Sequence, residues 1–166
     1  MVFSAYHFSV YMLYVPEKKG VAVSGGITAS DKVSAGENAT VRLTGIDNDF
    51  SDQTQGLDSY AFENVPAGEY TLTVSKEKHV EREYKITVTD ADVEQDVAIC
   101  PPGDIDGNGE TDVMDATVAL KYIRKLRDLD EYRIKCGDVF SDGDGEVDVN
   151  DVSRILRHVR KLKPLY

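Results

Sequence analysis

The chain has 166 residues, a formal net charge of −11, and 41% hydrophobic against 30% charged residues. That length holds one ordinary domain or two small ones, and the apolar fraction excludes general disorder. The acidity excludes a phosphate-binding surface, so no nucleic-acid partner is expected, and without an 18-residue apolar run no membrane insertion is expected.

Met1 to Val15 is apolar and aromatic but has neither a basic leader region nor a small-residue cleavage site. It is read as a strand of the mature protein and not as a signal peptide, and the chain is expected to be a piece of something longer. Strand-period alternation marks Phe8 to Met12, Ala39 to Leu43, Tyr70 to Val74, Tyr84 to Val88 and Val93 to Ile99. Turn chemistry separates them at Gly25-Gly26, Ser34 to Asn38, Asp47 to Asp49 and Pro66-Ala67-Gly68. Short strands at this spacing predict a β-sandwich over residues 1–100. Pro101-Pro102-Gly103 then stops the β pattern, and a second domain is expected over 101–166.

The second part contains an internal repeat. A shift of 36 residues sets Asp106–Leu126 over Asp142–Leu162 with eleven of 21 pairs identical, far more than chance allows. Each unit, 104–127 and 138–163, is a loop running into a helix. Apolar Val118, Leu120 and Ile123 in one copy answer Ile155, Leu156 and Val159 in the other. The spacer Asp128–Lys135 has room for a short third helix.

The loops are acidic and punctuated by glycine. In the first, Asp104, Asp106, Asn108, Asp112 and Asp115 stand at positions 1, 3, 5, 9 and 12, with Gly109 at 6 and the Glu110 carbonyl at 7. Clustered carboxylates repel unless a cation sits among them, so a hard ion such as calcium is expected here. A solvated acidic turn is the bland alternative, and the duplication argues against it. The second loop offers Asp142, Asp144, Glu146, Asp148 and Asp151, but counting back from Gly145 puts Phe140 at position 1. Asp138 is expected to fill that place through a two-residue bulge. Two ions are therefore expected, coupled to folding. No helix can enter the first loop through Pro101-Pro102, and position 12 is aspartate where sensor EF-hands carry glutamate, so a calcium switch is not expected.

Residues 103 to 163 resemble a dockerin, the duplicated calcium-binding module of cellulosomes. The resemblance implies a calcium-dependent grip on a cohesin of a scaffoldin or anchoring protein. It assigns recognition to Val113, Met114, Leu120, Lys121, Arg124 and Lys125, answered by Val149, Asn150, Leu156, Arg157, Arg160 and Lys161. The near-symmetry of the halves would permit two docking orientations. Val-Met and Val-Asn differ from the hydroxyl pairs common in one large dockerin class and point to a more apolar contact. The run from Tyr60 through Val65-Pro66-Ala67-Gly68 to Val74 is similar to carboxypeptidase-regulatory and collagen-adhesin B-type sandwiches, usually non-catalytic spacers, and to the X-modules that precede dockerins.

The expected fold is thus two domains: an all-β sandwich of prealbumin or immunoglobulin-like kind, and an all-α module of duplicated calcium loops and helices. No nucleophile elbow, phosphate loop or zinc signature occurs, so no catalytic residue is expected and the chain is read as a non-enzyme. His79 and His158 lack metal-ligand spacing and are read as surface residues, and His7 as packed. Cys100 and Cys136 could form one bridge or remain free thiols. The expected setting is secreted, the expected state a monomer that pairs with its cohesin. The alternative is a surface adhesin or carbohydrate-binding module with structural calcium only.

Overall fold

The computed structural model describes residues 20–32, 37–55, 58–140 and 144–165. The strand expected within Met1–Val15, His7, the start of the Ser34–Asn38 turn and Asp142 lie outside them. The described elements are β1 (Val21–Ala29), β2 (Glu37–Thr44), β3 (Asp49–Gln55), β4 (Ser59–Val65), β5 (Gly68–Ser75), β6 (Arg82–Val88), β7 (Val93–Glu94) and β8 (Val97–Ile99). Three helices follow, α1 (Val113–Ile123), α2 (Glu131–Gly137) and α3 (Val149–Val159).

Alternation makes the sandwich. In β5, Tyr70, Leu72 and Val74 are buried while Thr71 and Thr73 between them are half-buried on the other face. One sheet has the order β4-β1-β7, with β8 also pairing β1; the other runs β3-β2-β5-β6. Val23, Ile27, Tyr60, Phe62, Val65, Val97 and Ile99 of the first pack with Val41, Leu43, Leu72, Val74, Ile86 and Val88 of the second in one cluster. Each such aliphatic side chain contributes about 1.5–3 kcal/mol on full burial.

Two local expectations are corrected. Gly25-Gly26 is not a turn but the middle of β1, which pairs antiparallel with β4 and in parallel with β7 and β8. Residues 95–96 cross so near that a Cβ on Gly25 would collide with the Gln95 carbonyl, and the Gly26 N–H donates to Asp96 Oδ1 at 2.8 Å. The turn expected at Pro66-Ala67-Gly68 joins the two sheets and not two paired strands: it carries the chain from β4 in one sheet to β5 in the other, with the Tyr70 hydroxyl donating back to the Pro66 carbonyl at 3.0 Å.

The larger correction concerns the C-terminal part. Among the described residues the chain is a mostly-β single domain with three short helices, and no all-α module is evident there beside the sandwich. The helices have only eleven, seven and eleven residues, because the acidic loops hold the chain between them in turns. The buried apolar cluster that the loops and helices share has few members: Ile105, Ala116, Val118, Ala119, Val147, Val152 and Ile155. So little apolar surface is a poor basis for an independent domain.

The tail is instead tied to the sandwich. Cys100, just after β8, is disulfide-bonded to Cys136 in α2. The Tyr132 hydroxyl of α2 donates to the Val80 carbonyl at 2.9 Å and accepts the Cys100 N–H at 3.0 Å. Arg82 lies over the Tyr132 ring at 4.2 Å and the Tyr84 ring at 4.9 Å. Burial pushes the Tyr132 phenol above its ordinary range. Reducing the bridge, or Cys136→Ser, frees a 36-residue loop in the unfolded chain. The expected cost is about 3–4 kcal/mol, seen as a lower urea midpoint of the full chain.

His79 is also not a surface residue. Its side chain is 6% exposed, with Nε2 3.3 Å from Asp31 Oδ2 and Nδ1 3.0 Å from the Glu77 carbonyl.

Candidate functional site

The first acidic loop closes on itself through Asp104 and Asp115, both fully buried. Asp104 Oδ1 accepts the Gly107 N–H at 2.7 Å, and its Oδ2 accepts the Gly109 N–H at 3.1 Å. Asp115 Oδ1 accepts the N–H groups of Ile105 and Asp106 at 2.8 and 3.1 Å, and Oδ2 accepts that of Asp112 at 2.8 Å. Asp112 in turn accepts the Met114 N–H, so the loop's last residues are also the capping box of α1. Asp106 and Asn108 each turn the backbone once, accepting the N–H groups of Asn108 and Glu110. Gly107 and Gly109 have φ of +81° and +94°.

Carboxylate oxygens of Asp104, Asp106 and Asp115 all lie within 4.8 Å of one another. Burial pushes the Asp115 carboxyl up to about 6; its backbone donors pull it down, and the Asp106 carboxylate adds to the rise. Three acids so close, two of them buried, are unfavourable in their charged form unless a cation balances them. The donors are all oxygen, which suits a hard cation that accepts irregular geometry, and calcium is such an ion.

The second loop repeats the anchoring. Asp151 Oδ1 accepts the N–H groups of Val139 and Phe140, each at 2.8 Å, and Oδ2 accepts that of Asp148 at 2.9 Å. Val139 and Phe140 therefore stand to Asp151 as Ile105 and Asp106 stand to Asp115, which puts the Asp138 backbone where Asp104 is in the first loop. Asp148 caps α3 as Asp112 caps α1. Asp144 accepts the Glu146 N–H at 2.9 Å, and Gly145 has φ +71°.

All twelve residues expected to meet a partner are exposed. The apolar ones are Val113 and Met114, 55 and 56% exposed, then Leu120, Val149 and Leu156. Leu126 and Leu162 add a further matched pair, at 69 and 71%. Of the apolar residues that recur between the copies, Leu120 and Leu156 face outward, while Val118 and Ile155 are buried together with Ala119.

Both helices end alike. The Leu126 N–H bonds to the Lys121 carbonyl and the Lys125 N–H to that of Tyr122; Leu162 and Lys161 repeat this on Arg157 and His158. Lys125 and Lys161 thereby hold φ of +56° and +57°, where glycine is cheaper. Lys125→Gly is expected to raise stability by about 0.5–1 kcal/mol in urea unfolding.

No family model and no curated protein matches the chain. Among solved structures it is similar to a chain of the type II cohesin–X-dockerin complex from Acetivibrio cellulolyticus, a C-terminal interface mutant. The two share 20% identity over 84% of this chain and 95% of that one, with a TM-score of 0.41. It is also similar to a candidate carbohydrate-binding protein from Bacteroides uniformis, at 16% identity over 50% and 42% of the two chains and a TM-score of 0.41. A third likeness, to the 5-hydroxyisourate hydrolase of Klebsiella pneumoniae, has 18% identity over 50% and 92% and a TM-score of 0.37. Scores of this size leave partner and ligand to be argued from the chain's own residues.

Sequence reasoning missed what reaches the first loop from outside. The Ser30 hydroxyl donates to Asp104 Oδ2 at 2.5 Å, and Arg133 of α2 donates to the Asp104 carbonyl at 3.3 Å. Neither is near the loop in sequence, and neither belongs to a motif.

Proposed function

We propose that this chain is a non-catalytic docking protein, secreted, whose two loop–helix units grip a cohesin-type partner in the manner of a dockerin. The attachment would hold an enzyme or scaffold at plant polysaccharide. The observation that carries this reading is a duplicated apolar face. Val113 and Val149, Leu120 and Leu156, and Leu126 and Leu162 are exposed at the same 36-residue offset as the acidic loops. Solvated surface seldom presents matched large apolar groups, and exposed patches of this kind mark interaction sites. Lys121, Arg124 and Lys125, with Arg157, Arg160 and Lys161, border the face with positive charge and would steer it toward an acidic partner.

Asp104, Asp106, Asn108, the Glu110 carbonyl, Asp112 and Asp115 would hold one calcium ion. Asp138, Asp142, Asp144, the Glu146 carbonyl, Asp148 and Asp151 would hold a second. A bound ion would balance the negative charge gathered in each loop. Asp115 and Asp151 then link each loop to its helix, because the same carboxylate that faces the ion completes the helix cap.

A sugar-binding role has less support. Ile46 is the one large hydrophobic residue strongly exposed among the described sandwich residues, and it is not aromatic. Tyr84 and Tyr132 line an open cleft of about 710 Å³ between β6 and α2, but Arg82 covers both rings. Titration calorimetry of the full chain against a panel of cohesins, with calcium and with chelator, tests the proposal. Tight binding to one cohesin that chelator abolishes is expected. Sugar binding with no cohesin bound would reject it.

A further inference from the structure

We propose that the sandwich tunes the first calcium loop directly, through Ser30 acting as a positioning residue for Asp104, so that the two loops differ in affinity. The inference rests on the calcium reading of the loops and adds a residue that no loop motif contains. Ser30 lies just past the end of β1, and its place is fixed. Its N–H donates to the Ile99 carbonyl at 3.1 Å, and its neighbour Ala29 pairs with Ile99 in the parallel β1–β8 ladder. From there its hydroxyl donates to Asp104 Oδ2, the oxygen that also takes the Gly109 N–H. The contact is close on the backbone as well: a Cβ on Gly109 would collide with the Ser30 carbonyl and the Asp31 Cα.

The hydroxyl fixes the orientation of the fully buried Asp104 side chain before an ion arrives, so less ordering is left for binding to supply. The second loop differs here. Its own turn glycine, Gly145, is open: apart from its chain neighbours, no atom of the described residues lies within 4 Å of where a Cβ would stand. The sandwich therefore presses on one loop at its central glycine and leaves the other free at the same place.

The test is a calcium titration of the full, oxidised chain followed by nuclear magnetic resonance, reading the amides of Gly109 and Gly145 as reporters of the two loops. In the wild type, Gly109 is expected to respond at lower calcium than Gly145. Ser30→Ala is expected to raise the calcium needed at Gly109 about tenfold or more, the size usual for loss of an outer hydrogen-bond partner. Gly145 is expected to be unchanged, and Ser30→Thr, which keeps the hydroxyl, to titrate like the wild type. Sandwich amides of β2 and β5 report that each variant is folded. An unmoved Gly109 curve in Ser30→Ala, an equal shift at both glycines, or Ser30→Thr behaving like Ser30→Ala would overturn the inference while leaving the calcium reading intact. A wild type in which neither glycine responds to calcium would overturn both.

Discussion

Asp115→Ala is expected to unfold the first loop–helix unit, with or without calcium. The carboxylate accepts three backbone N–H groups and is 0% exposed, so alanine leaves the Ile105, Asp106 and Asp112 donors without it. Hydrogen bonds to a charged acceptor contribute about 1.5–3 kcal/mol each, and three amount to on the order of 5–9 kcal/mol. Net stabilities of whole domains are about 5–15 kcal/mol, so the loss is expected to show as separate, early melting of α1 in urea. Asp151→Ala should do the same to α3 through Val139, Phe140 and Asp148. Asp115→Asn separates the two roles of the group. One oxygen remains for Ile105 and Asp106 but the charge is gone, so folding should survive in part while calcium binding at that loop is lost. An alanine variant with native circular dichroism under chelator would contradict this assignment.

Leu120→Asp combined with Leu156→Asp is expected to abolish docking while the fold stays intact. The two leucines are 43 and 37% exposed, so a charged replacement costs little in the free protein but stands uncompensated in a closed interface. Central apolar anchors commonly contribute 2 kcal/mol or more each, so the pair predicts a loss beyond about 100-fold. The single variants carry separate information. If the near-symmetric halves can exchange places, each single variant keeps binding within about twofold, the statistical cost of losing one of two orientations, a free energy of RT ln 2. If Met114 against Asn150 breaks the symmetry, Leu120→Asp alone removes most of the affinity. Calorimetry against the cohesin bound by the wild type reads all three variants. A double variant that binds like the wild type would place the interface elsewhere.

What could be read from the chain depended on how local the signal was. β2, β5 and β6 alternate because each lies in a sheet with one buried face, and that alternation is visible in a few residues. β1 escaped because Gly25 and Gly26 yield side-chain volume to residues 95–96, which is a tertiary reason. β3 escaped because Asp49–Gln55 is largely polar and, among the described residues, pairs in its sheet with β2 alone. The convergence of Asp104, Asp106 and Asp115 was legible from spacing, since a twelve-residue loop folds on its own hydrogen bonds. The expected all-α domain failed for a complementary reason. Periodicity continues to Leu126 and Leu162, but α1 ends at Ile123 and α3 at Val159, and the buried faces are too small to stand apart from the sandwich. The ties that make one body, Tyr132 to Val80 and Cys100, Arg82 on two tyrosines and Ser30 to Asp104, join distant parts of the chain by single contacts. Such contacts leave no local pattern.

The most direct test is the calcium stoichiometry of the intact chain, measured by calorimetry on metal-stripped protein. Two ions per chain are predicted, falling to one in Asp115→Asn, together with gain of cohesin binding in step with loading. A chain that binds no calcium, or that docks equally well in chelator, would contradict the account.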